Sequence, residues 1–107
     1  MPVPVTVDAT PDRFPAHVES AAYFVVAEGL ANVTKHAHAT AAAIVIDRRD
    51  GLLCIEVRDD GVGGARAGEM SGLRGLGDRV GALDGRLRVD SPSGAGTRLH
   101  VEIPCES

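Results

Sequence analysis

The glycines of this 107-residue chain are unevenly placed, and their position restricts what the chain can form. Eleven of the thirteen lie between Gly61 and Gly96. Glycine weakens the interior of a helix or strand, but it permits tight turns and lets a backbone come close to another group. A core scaffold does not need such a density. This stretch therefore favours tight turns, or a backbone that approaches a ligand closely.

Length and composition are those of one small globular domain, which we expect to comprise residues 1–107. Hydrophobic residues make up 44% of the chain and charged residues 24%, which argues against disorder. The longest apolar stretch, Ala21 to Ala27, is too short to span a membrane. Met1 to Pro4 lacks the basic and apolar regions of a signal peptide. These features predict a cytoplasmic domain, or the cytoplasmic part of a longer protein, without direct membrane contact.

Charge and aromatic content argue against a nucleic-acid partner. The formal net charge is −4, and the aromatic residues are Phe14, Tyr23 and Phe24, so both a basic field and a stacking platform are missing. The two cysteines, Cys54 and Cys105, make neither a disulfide framework nor a ligand cluster. Cys54 lies inside an apolar run, which predicts a buried free thiol.

The hydrophobic pattern predicts elements in the order β-α-β-β-loop-α-β-β. Strands are predicted at Val3–Asp8, Thr40–Asp47, Leu52–Arg58, Arg86–Asp90 and Thr97–Ile103. Pro15 suits the first position of a long helix, and a second helix is predicted over Gly72–Asp84 with Gly85 as its stop. Asp50-Gly51 predicts a hairpin turn, with Arg48, Arg49 and Asp50 at its solvated tip. This order favours an α/β two-layer sandwich, with the helices on one face of a mixed sheet.

The long helix carries a polar stripe that could act on a metal-bound phosphate. Glu28, Asn32 and His36 are spaced i, i+4, i+8, and Lys35 lies beside them. An amide oxygen suits Mg²⁺, cations suit phosphate oxygens, and a carboxylate can orient a nucleophile. The same pattern is equally typical of the solvated side of an amphipathic helix. The opposite, apolar face of this helix comprises Ala22, Val26, Gly29, Leu30, Val33 and Ala37.

Three glycine-containing segments could contact a bound molecule. Asp59-Asp60-Gly61-Val62-Gly63-Gly64 ends a strand with a carboxylate that can accept from an exocyclic amine, beside glycines that admit a flat ring. Met70 to Gly77 leads glycines into a helix N-terminus, whose free N–H groups suit phosphate. Ser93 to Thr97 is a tight turn into the last strand. Taken singly, these segments also fit a turn, a flexible loop and a hairpin.

In order and spacing, the four segments together resemble the boxes of a histidine-kinase ATP-binding domain. Glu28–Ala37 resembles the N box, and the three glycine boxes are Asp59–Gly63, Gly72–Val80 and Gly94–Thr97. The Lys-His-Ala ending of the N box and the run Gly-Leu-Arg-Gly-Leu-x-x-Arg-Val resemble the short-lid sensor kinases that pair with LuxR-type response regulators. The resemblance implies a Bergerat fold of the GHKL ATPase type, which binds ATP with Mg²⁺ between the long helix and the glycine loops.

The resemblance also implies a role for each site residue. At the phosphate end, Asn32 would hold Mg²⁺ and Glu28 would orient or deprotonate the nucleophile. Lys35 and His36 would face the phosphates, and so would the N–H groups of the segment Gly72, Leu73 and Arg74. At the adenine end, Asp59 would bind the amine, Gly61 and Gly63 would lie beside the base, and Thr97 would help close the pocket. Catalysis would thus depend on Glu28 and Lys35.

The implied reaction is transfer of the γ-phosphoryl group to a histidine on a separate dimerisation domain, which no segment of this sequence resembles. We therefore expect the chain to be the catalytic module of a longer sensor kinase, monomeric by itself, with a LuxR-type regulator as an indirect partner. The second glycine box begins Met70-Ser71-Gly72-Leu73 where the family has Gly-x-Gly-Leu. That departure leaves open a non-catalytic, nucleotide-dependent docking module, and an anti-sigma-factor serine kinase shares the fold.

Overall fold

The computed structural model describes residues 5–36, 41–61, 73–90 and 96–105. Seven elements follow one another in the predicted order: β1 (Val5–Ala9), α1 (Ala16–His36), β2 (Ala42–Arg49), β3 (Leu52–Asp59), α2 (Leu73–Ala82), β4 (Arg86–Asp90) and β5 (Thr97–Pro104). The predicted bounds agree with these to within about two residues for the strands and α2. The loop predicted between β3 and α2 and the tight turn predicted at Ser93–Thr97 lie largely outside the described residues.

The strands form one five-stranded sheet in the order β1-β2-β3-β5-β4. β1 is parallel to β2, and the other neighbouring pairs are antiparallel. The parallel pair requires a crossover connection, which α1 supplies. Both helices contact the same side of this mixed sheet, α1 against β3 and β5 and α2 against β4. The predicted two-layer α/β sandwich is therefore confirmed.

The core lies between the two helices and the inner face of the sheet. Strands with alternate residues buried supply one half of it, because successive side chains point to opposite faces. On β3 and β5 the buried residues are Leu53, Ile55, Val57, Leu99, Val101 and Ile103, and the helices add Val18, Val25, Leu76 and Val80. Val18 and Val25 are fully buried although the predicted apolar face of α1 did not include them. The buried face of α1 is therefore rotated about the helix axis from the predicted one, on which Val26 is only half-buried.

Gly29 is a point of close approach between α1 and the sheet. A Cβ atom at this position would lie 3.0 Å from Cγ2 of Val57 and 3.2 Å from its Cγ1. The absence of a side chain therefore lets the backbone of α1 pack directly on β3. This contact fixes the height of the second half of α1 above the strand.

Glu19 secures the start of α1. The helix begins at Ala16, one residue after the predicted Pro15, whose carbonyl accepts from the N–H groups of Val18 and Glu19. The Glu19 carboxylate accepts from the Phe14 N–H at 3.1 Å and from the Arg13 guanidinium at 3.0 and 3.2 Å. The arginine contact, with help from the Phe14 N–H, lowers the pKa of Glu19 below its ordinary value.

The turn that ends α2 differs from the prediction. Asp84, rather than Gly85, adopts the left-handed conformation, with φ of 60°. The Gly85 N–H donates to the Val80 carbonyl and the Asp84 N–H to the Gly81 carbonyl, which is the Schellman pattern. Gly85 is needed for a different reason, since a Cβ there would lie 2.6 Å from the Glu102 carbonyl oxygen.

The hairpin between β2 and β3 has the predicted turn. Asp50 and Gly51 both have positive φ, 51° and 77°, as a type I′ turn requires. Arg48 was expected in a solvated tip, yet it lies over the Phe14 ring at 4.6 Å and donates to the Arg13 carbonyl at 2.8 Å. It thereby ties the segment before α1 to the sheet.

The two helices are joined by an arginine on an aromatic ring. The guanidinium carbon of Arg79 on α2 lies 4.0 Å from the centroid of the Phe24 ring on α1. A cation over a ring face at this distance is attracted by the ring quadrupole. The contact holds α2 beside α1 above the buried Leu76 and Val80.

Candidate functional site

One end of the sheet brings together a carboxylate and a hydroxyl from adjacent strands. Asp59 is the last residue of β3 and pairs with Thr97, the first residue of β5. On its other side Asp59 pairs with Ala42, the first residue of β2. Alternation from the buried Val57 and Leu99 places both polar side chains on the face covered by the helices. Both residues are half-buried, so they remain accessible to a bound molecule.

The Asp59 carboxylate uses one of its two oxygens in a hydrogen bond to a described residue. Its Oδ1 accepts from the Gly61 N–H at 2.8 Å, which turns the chain sharply after the strand. Among the residues that the structure describes, Oδ2 has no hydrogen-bond partner. One oxygen thus fixes the orientation of the group while the other can accept from a ligand. An amine with a second acceptor nearby, as on an adenine ring, is a suitable donor.

Gly96 packs against this end of β3 from the side of β5. Its φ is 78°, and a Cβ built there would collide with the carbonyl oxygen of Asp59 and lie 3.3 Å from Cα of Asp60. Position 96 therefore requires glycine for two reasons: its backbone is left-handed, and the Asp59 peptide lies too close for a side chain. Gly96, in the predicted segment Ser93–Thr97, thus contacts Asp59 in the first glycine-containing segment. Gly96 itself was not predicted as a site residue, although the predicted turn at Ser93–Thr97 was a signal for it.

Asp60 is a residue whose part in the site was not predicted. Its N–H donates to the Ala41 carbonyl at 3.3 Å, and its Oδ1 accepts from the Ala41 N–H at 3.0 Å. The two residues are thus joined in both directions just beyond the β2–β3 ladder. The available signal was an aspartate directly after a strand, since such side chains bond readily to nearby backbone groups.

The predicted polar stripe lies on the second half of α1. Glu28 is half-buried, and its carboxylate makes no hydrogen bond or ion pair with the residues that the structure describes. It immediately precedes Gly29, which packs on Val57, two residues before Asp59 on the same face of β3. The backbones of Asn32, Lys35 and His36 are helical. Their side chains lie outside what the structure describes, so their predicted roles stay predictions.

The predicted phosphate segment is described in part. Leu73 is the first residue of α2 and Arg74 the second, which confirms that a helix begins there. Gly63 and Gly72 lie outside the described residues. A helix N-terminus directs free N–H groups outward, which suits an anion. The roles of these residues toward phosphate stay predictions.

In residues 5–36, 41–61, 73–90 and 96–105, no group of three histidine, cysteine or acidic side chains is placed to hold a metal ion. A Mg²⁺ ion in such a site would be held by one or two protein oxygens together with substrate phosphates. Within the same ranges, no helix has both the length and the apolar character needed to cross a bilayer.

The open face of the sheet has a groove that does not belong to this site. Its lining includes Asp47, Cys54 and Glu102, on the side away from the helices. Alternation on β3 puts Cys54 there, half-buried, so the predicted buried thiol is wrong. Partial burial raises the pKa of the Cys54 thiol, and Glu102 adds to the rise. The buried cysteine is Cys105, whose Sγ donates to the Gly51 carbonyl at 3.3 Å.

Similar proteins point to one family. Residues 17–107 match the family described as histidine kinase-, DNA gyrase B-, and HSP90-like ATPases. The chain is 35% identical over 86 residues to the sensor histidine kinase ComP of Bacillus subtilis, covering 76% of this chain and 11% of ComP. It is 32% identical over 96 residues to the histidine-protein kinase/phosphatase DegS of Brevibacillus brevis, covering 87% of this chain and 25% of DegS.

A solved structure agrees with these relatives. The blue-light activated histidine kinase of Erythrobacter litoralis EL346 superposes with a TM-score of 0.84 at 26% identity, covering 96% of this chain and 35% of that one. The chain therefore spans about a third or less of each of these three proteins. The fold, the family match and these relatives agree with the resemblance carried by the four boxes. The chain belongs to the family of histidine kinase-, DNA gyrase B-, and HSP90-like ATPases, in which its relatives are sensor histidine kinases.

Proposed function

We propose that this chain binds Mg²⁺ and ATP as the catalytic domain of a two-component sensor histidine kinase. The observation that carries the proposal is the corner formed by Asp59, Gly61, Gly96 and Thr97. There one oxygen of the Asp59 carboxylate accepts from the Gly61 N–H, which leaves the other oxygen to accept from a ligand. Beside it, the backbone at Gly96 has no room for a side chain. A planar ring bearing an amine fits those constraints.

The donor set of the chain also fits the metal nucleotide. Asn32 offers an amide oxygen for Mg²⁺ and follows Glu28 by one helical turn, on the part of α1 that Gly29 holds against β3. Lys35, His36 and the α2 N-terminus supply positive charge for phosphate oxygens. When bound, the metal ion would neutralise charge on the phosphates. Asn32 and Lys35 belong to the N box that carried the resemblance, which supports these roles.

In the proposed reaction, an imidazole nitrogen of a histidine on the kinase's own dimerisation domain attacks the γ-phosphorus. The bond between this phosphorus and the bridging oxygen of ADP breaks as the phosphorus–nitrogen bond forms. Glu28 accepts the proton that the imidazole loses, and Lys35 stabilises the charge on the transferred group. Because most of the effect is positioning, the isolated chain would turn over ATP very slowly.

The partners follow from the same proposal. The chain would act on the dimerisation domain of a longer cytoplasmic or membrane-attached kinase, and a LuxR-type response regulator would receive the phosphoryl group afterwards. ComP and DegS, the relatives reported above, are named as histidine kinases, which supports the first step. By itself the chain would be a monomer on the cytoplasmic side.

Calorimetric titration with a non-hydrolysable ATP analogue, with and without Mg²⁺, tests the site. Binding by the wild-type chain, lost in Asp59→Asn and retained in Asp8→Asn on exposed β1, would support the proposed adenine contact. Asn32→Ala should remove the Mg²⁺-dependent part of the affinity. A wild-type chain that binds no nucleotide would overturn the proposal and favour a docking module.

The phosphorylated product tests the reaction. A full-length kinase carrying this domain should be phosphorylated on histidine. The phosphohistidine is stable in alkali and hydrolyses in acid. An acid-stable product would instead indicate a serine kinase on the same fold. ATP binding without any labelling would favour a non-catalytic switch.

A further inference from the structure

The side chain of Asp60 takes the place of a backbone carbonyl at the end of a sheet ladder. In the antiparallel β2–β3 pair, the residues that exchange two hydrogen bonds alternate with those that exchange none. From the two-residue turn at Asp50-Gly51, the exchanging pairs include Arg49–Leu52 and Ala43–Arg58. The next pair in the series is Ala41–Asp60. There the Asp60 N–H donates to the Ala41 carbonyl as expected, but the Ala41 N–H donates to Oδ1 of Asp60.

This substitution lets the chain leave the sheet at once. If the Ala41 N–H needed the Asp60 carbonyl, the peptide after Asp60 would have to stay in the plane of the ladder. Because the carboxylate satisfies that N–H at 3.0 Å, the following peptide is free to rotate. The Gly61 N–H can then point back to Oδ1 of Asp59 at 2.8 Å. Two successive aspartates thus hold the N–H groups on either side of the turn.

The orientation of the Asp59 carboxylate depends on that turn. Its Oδ1 is fixed by Gly61, so the direction of Oδ2 follows from where the Gly61 N–H lies. On the other side, Gly96 packs against the Asp59 peptide. The link between Asp60 and Ala41 is a third contact at this end of β3. It also joins this end to the residue that precedes β2, on the chain segment leading from α1.

Resting on the proposed function, we propose that Asp60 is a positioning residue for recognition of the adenine amine. It acts through Asp59, by holding the turn that directs Oδ2 before the ligand arrives. Preorganised contacts strengthen binding because less ordering is left to occur in the complex. The carboxylate charge of Asp60 is not required for this action, whereas the position of its oxygen is.

Four variants separate position from charge. Asp60→Ala removes the acceptor and should weaken ATP-analogue binding about three- to tenfold, the factor expected from one hydrogen bond. Asp60→Asn keeps an oxygen at the same place without charge and should bind as the wild type does. Asp60→Glu keeps the charge but moves the oxygen by one methylene group, so it should resemble Asp60→Ala. Asp8→Asn, on the exposed strand β1, controls for loss of an acidic charge.

The second ligand in the test is purine riboside triphosphate, which lacks the exocyclic amine. Because Asp60 acts through the contact to that amine, Asp60→Ala should weaken binding of this compound less than binding of ATP. An equal loss for both ligands would show a general structural effect and would overturn the proposal. Unchanged affinity of Asp60→Ala for ATP would overturn it as well.

Amide hydrogen exchange gives a readout that does not depend on nucleotide. In Asp60→Ala the Ala41 N–H should exchange faster, and in Asp60→Asn it should stay protected. Unchanged exchange in Asp60→Ala would contradict the proposed link even if no ligand binds. If the exchange pattern appears but the wild-type chain binds no ATP, the proposed function fails, and with it the role of Asp60 in adenine recognition, whereas the backbone link itself stands.

Discussion

Gly96 lies against the peptide of Asp59 so closely that a methyl group at position 96 would occupy the space of the Asp59 carbonyl oxygen. The carboxylate proposed to bind adenine is thus braced by the residue directly before the last strand. The bracing is a property of the backbone, and it is present without any ligand. Its loss should be measurable as a change in stability as well as in binding.

Gly96→Ala should lower the free energy of unfolding by about 1–3 kcal/mol, the cost of a side chain held in the left-handed region, and the collision adds to it. Chemical denaturation of both proteins measures the difference. The matched control is Gly81→Ala on α2, where a Cβ would meet nothing within 4 Å. That control should gain about 0.5–1 kcal/mol, because alanine is the better helix former. Equal stability of wild type and Gly96→Ala would contradict the close contact.

Gly29→Ala should destabilise the chain by about 1–3 kcal/mol, the range for overfilling a packed core. The added methyl group would lie 3.0 Å from Val57, so α1 must lift off β3 or Val57 must move. Pairing it with Val57→Ala provides the check, because that change makes room for the methyl group. The loss in the double variant should be smaller than the sum of the two single losses. Additive losses would show that the two positions do not meet.

The contact between Arg79 and Phe24 should contribute about 0.5–1 kcal/mol of coupling, as exposed cation–π pairs do. A double-mutant cycle of Arg79→Ala and Phe24→Leu, followed by denaturation, isolates this energy, because leucine keeps apolar bulk without a ring face. Arg86→Ala, on the exposed side of β4, serves as the control for loss of a cation. A coupling energy near zero would mean that the ring and the guanidinium pack without attraction.

Glu19 should make stability depend on pH in the acidic range. Its pKa is held below the ordinary value of 4.5, first by the hydrogen bond from Arg13 and then by that from Phe14. The stabilisation is therefore complete above pH 4.5 and is lost as the pH falls through the lowered pKa of the folded chain. The melting temperatures of wild type and Glu19→Gln should differ at neutral pH and converge in acid. A difference that persists in acid, or that Asp78→Asn reproduces, would rule out this cause.

Most of the fold could be predicted because its signals are local. Alternating apolar residues in β3 and β5 specify which side chains face the helices, and Asp50-Gly51 specifies its turn by the positive φ that both residues tolerate. The order of the elements then leaves few ways to bury the apolar faces. The register of Asp59 with Thr97 follows from that arrangement.

What could not be predicted depends on atoms that meet only in the folded chain. Asp60 and Ala41 lie opposite each other in the hairpin register, but no sequence rule predicts that the Asp60 side chain, rather than its carbonyl, bonds to the Ala41 N–H. The same is true of Arg48, which was assigned to a solvated turn but reaches a ring 34 positions earlier in the sequence. The error at Cys54 has another cause, since an apolar run alone does not say which of its residues face outward. The roles of Asn32, Lys35 and His36 rest on the resemblance of the N box.

The strand that carries Asp59 has a neighbour on each side, with β2 and β5 bonded along its full length from Leu52 to Asp59. A strand in that position can exchange its amide hydrogens only when the whole sheet opens, so β3 should belong to the most slowly exchanging part of the molecule. The edge strands β1 and β4 should open far more often. Thermal fluctuation and partial unfolding will therefore reach the edge strands well before they displace the central strand that ends in this carboxylate.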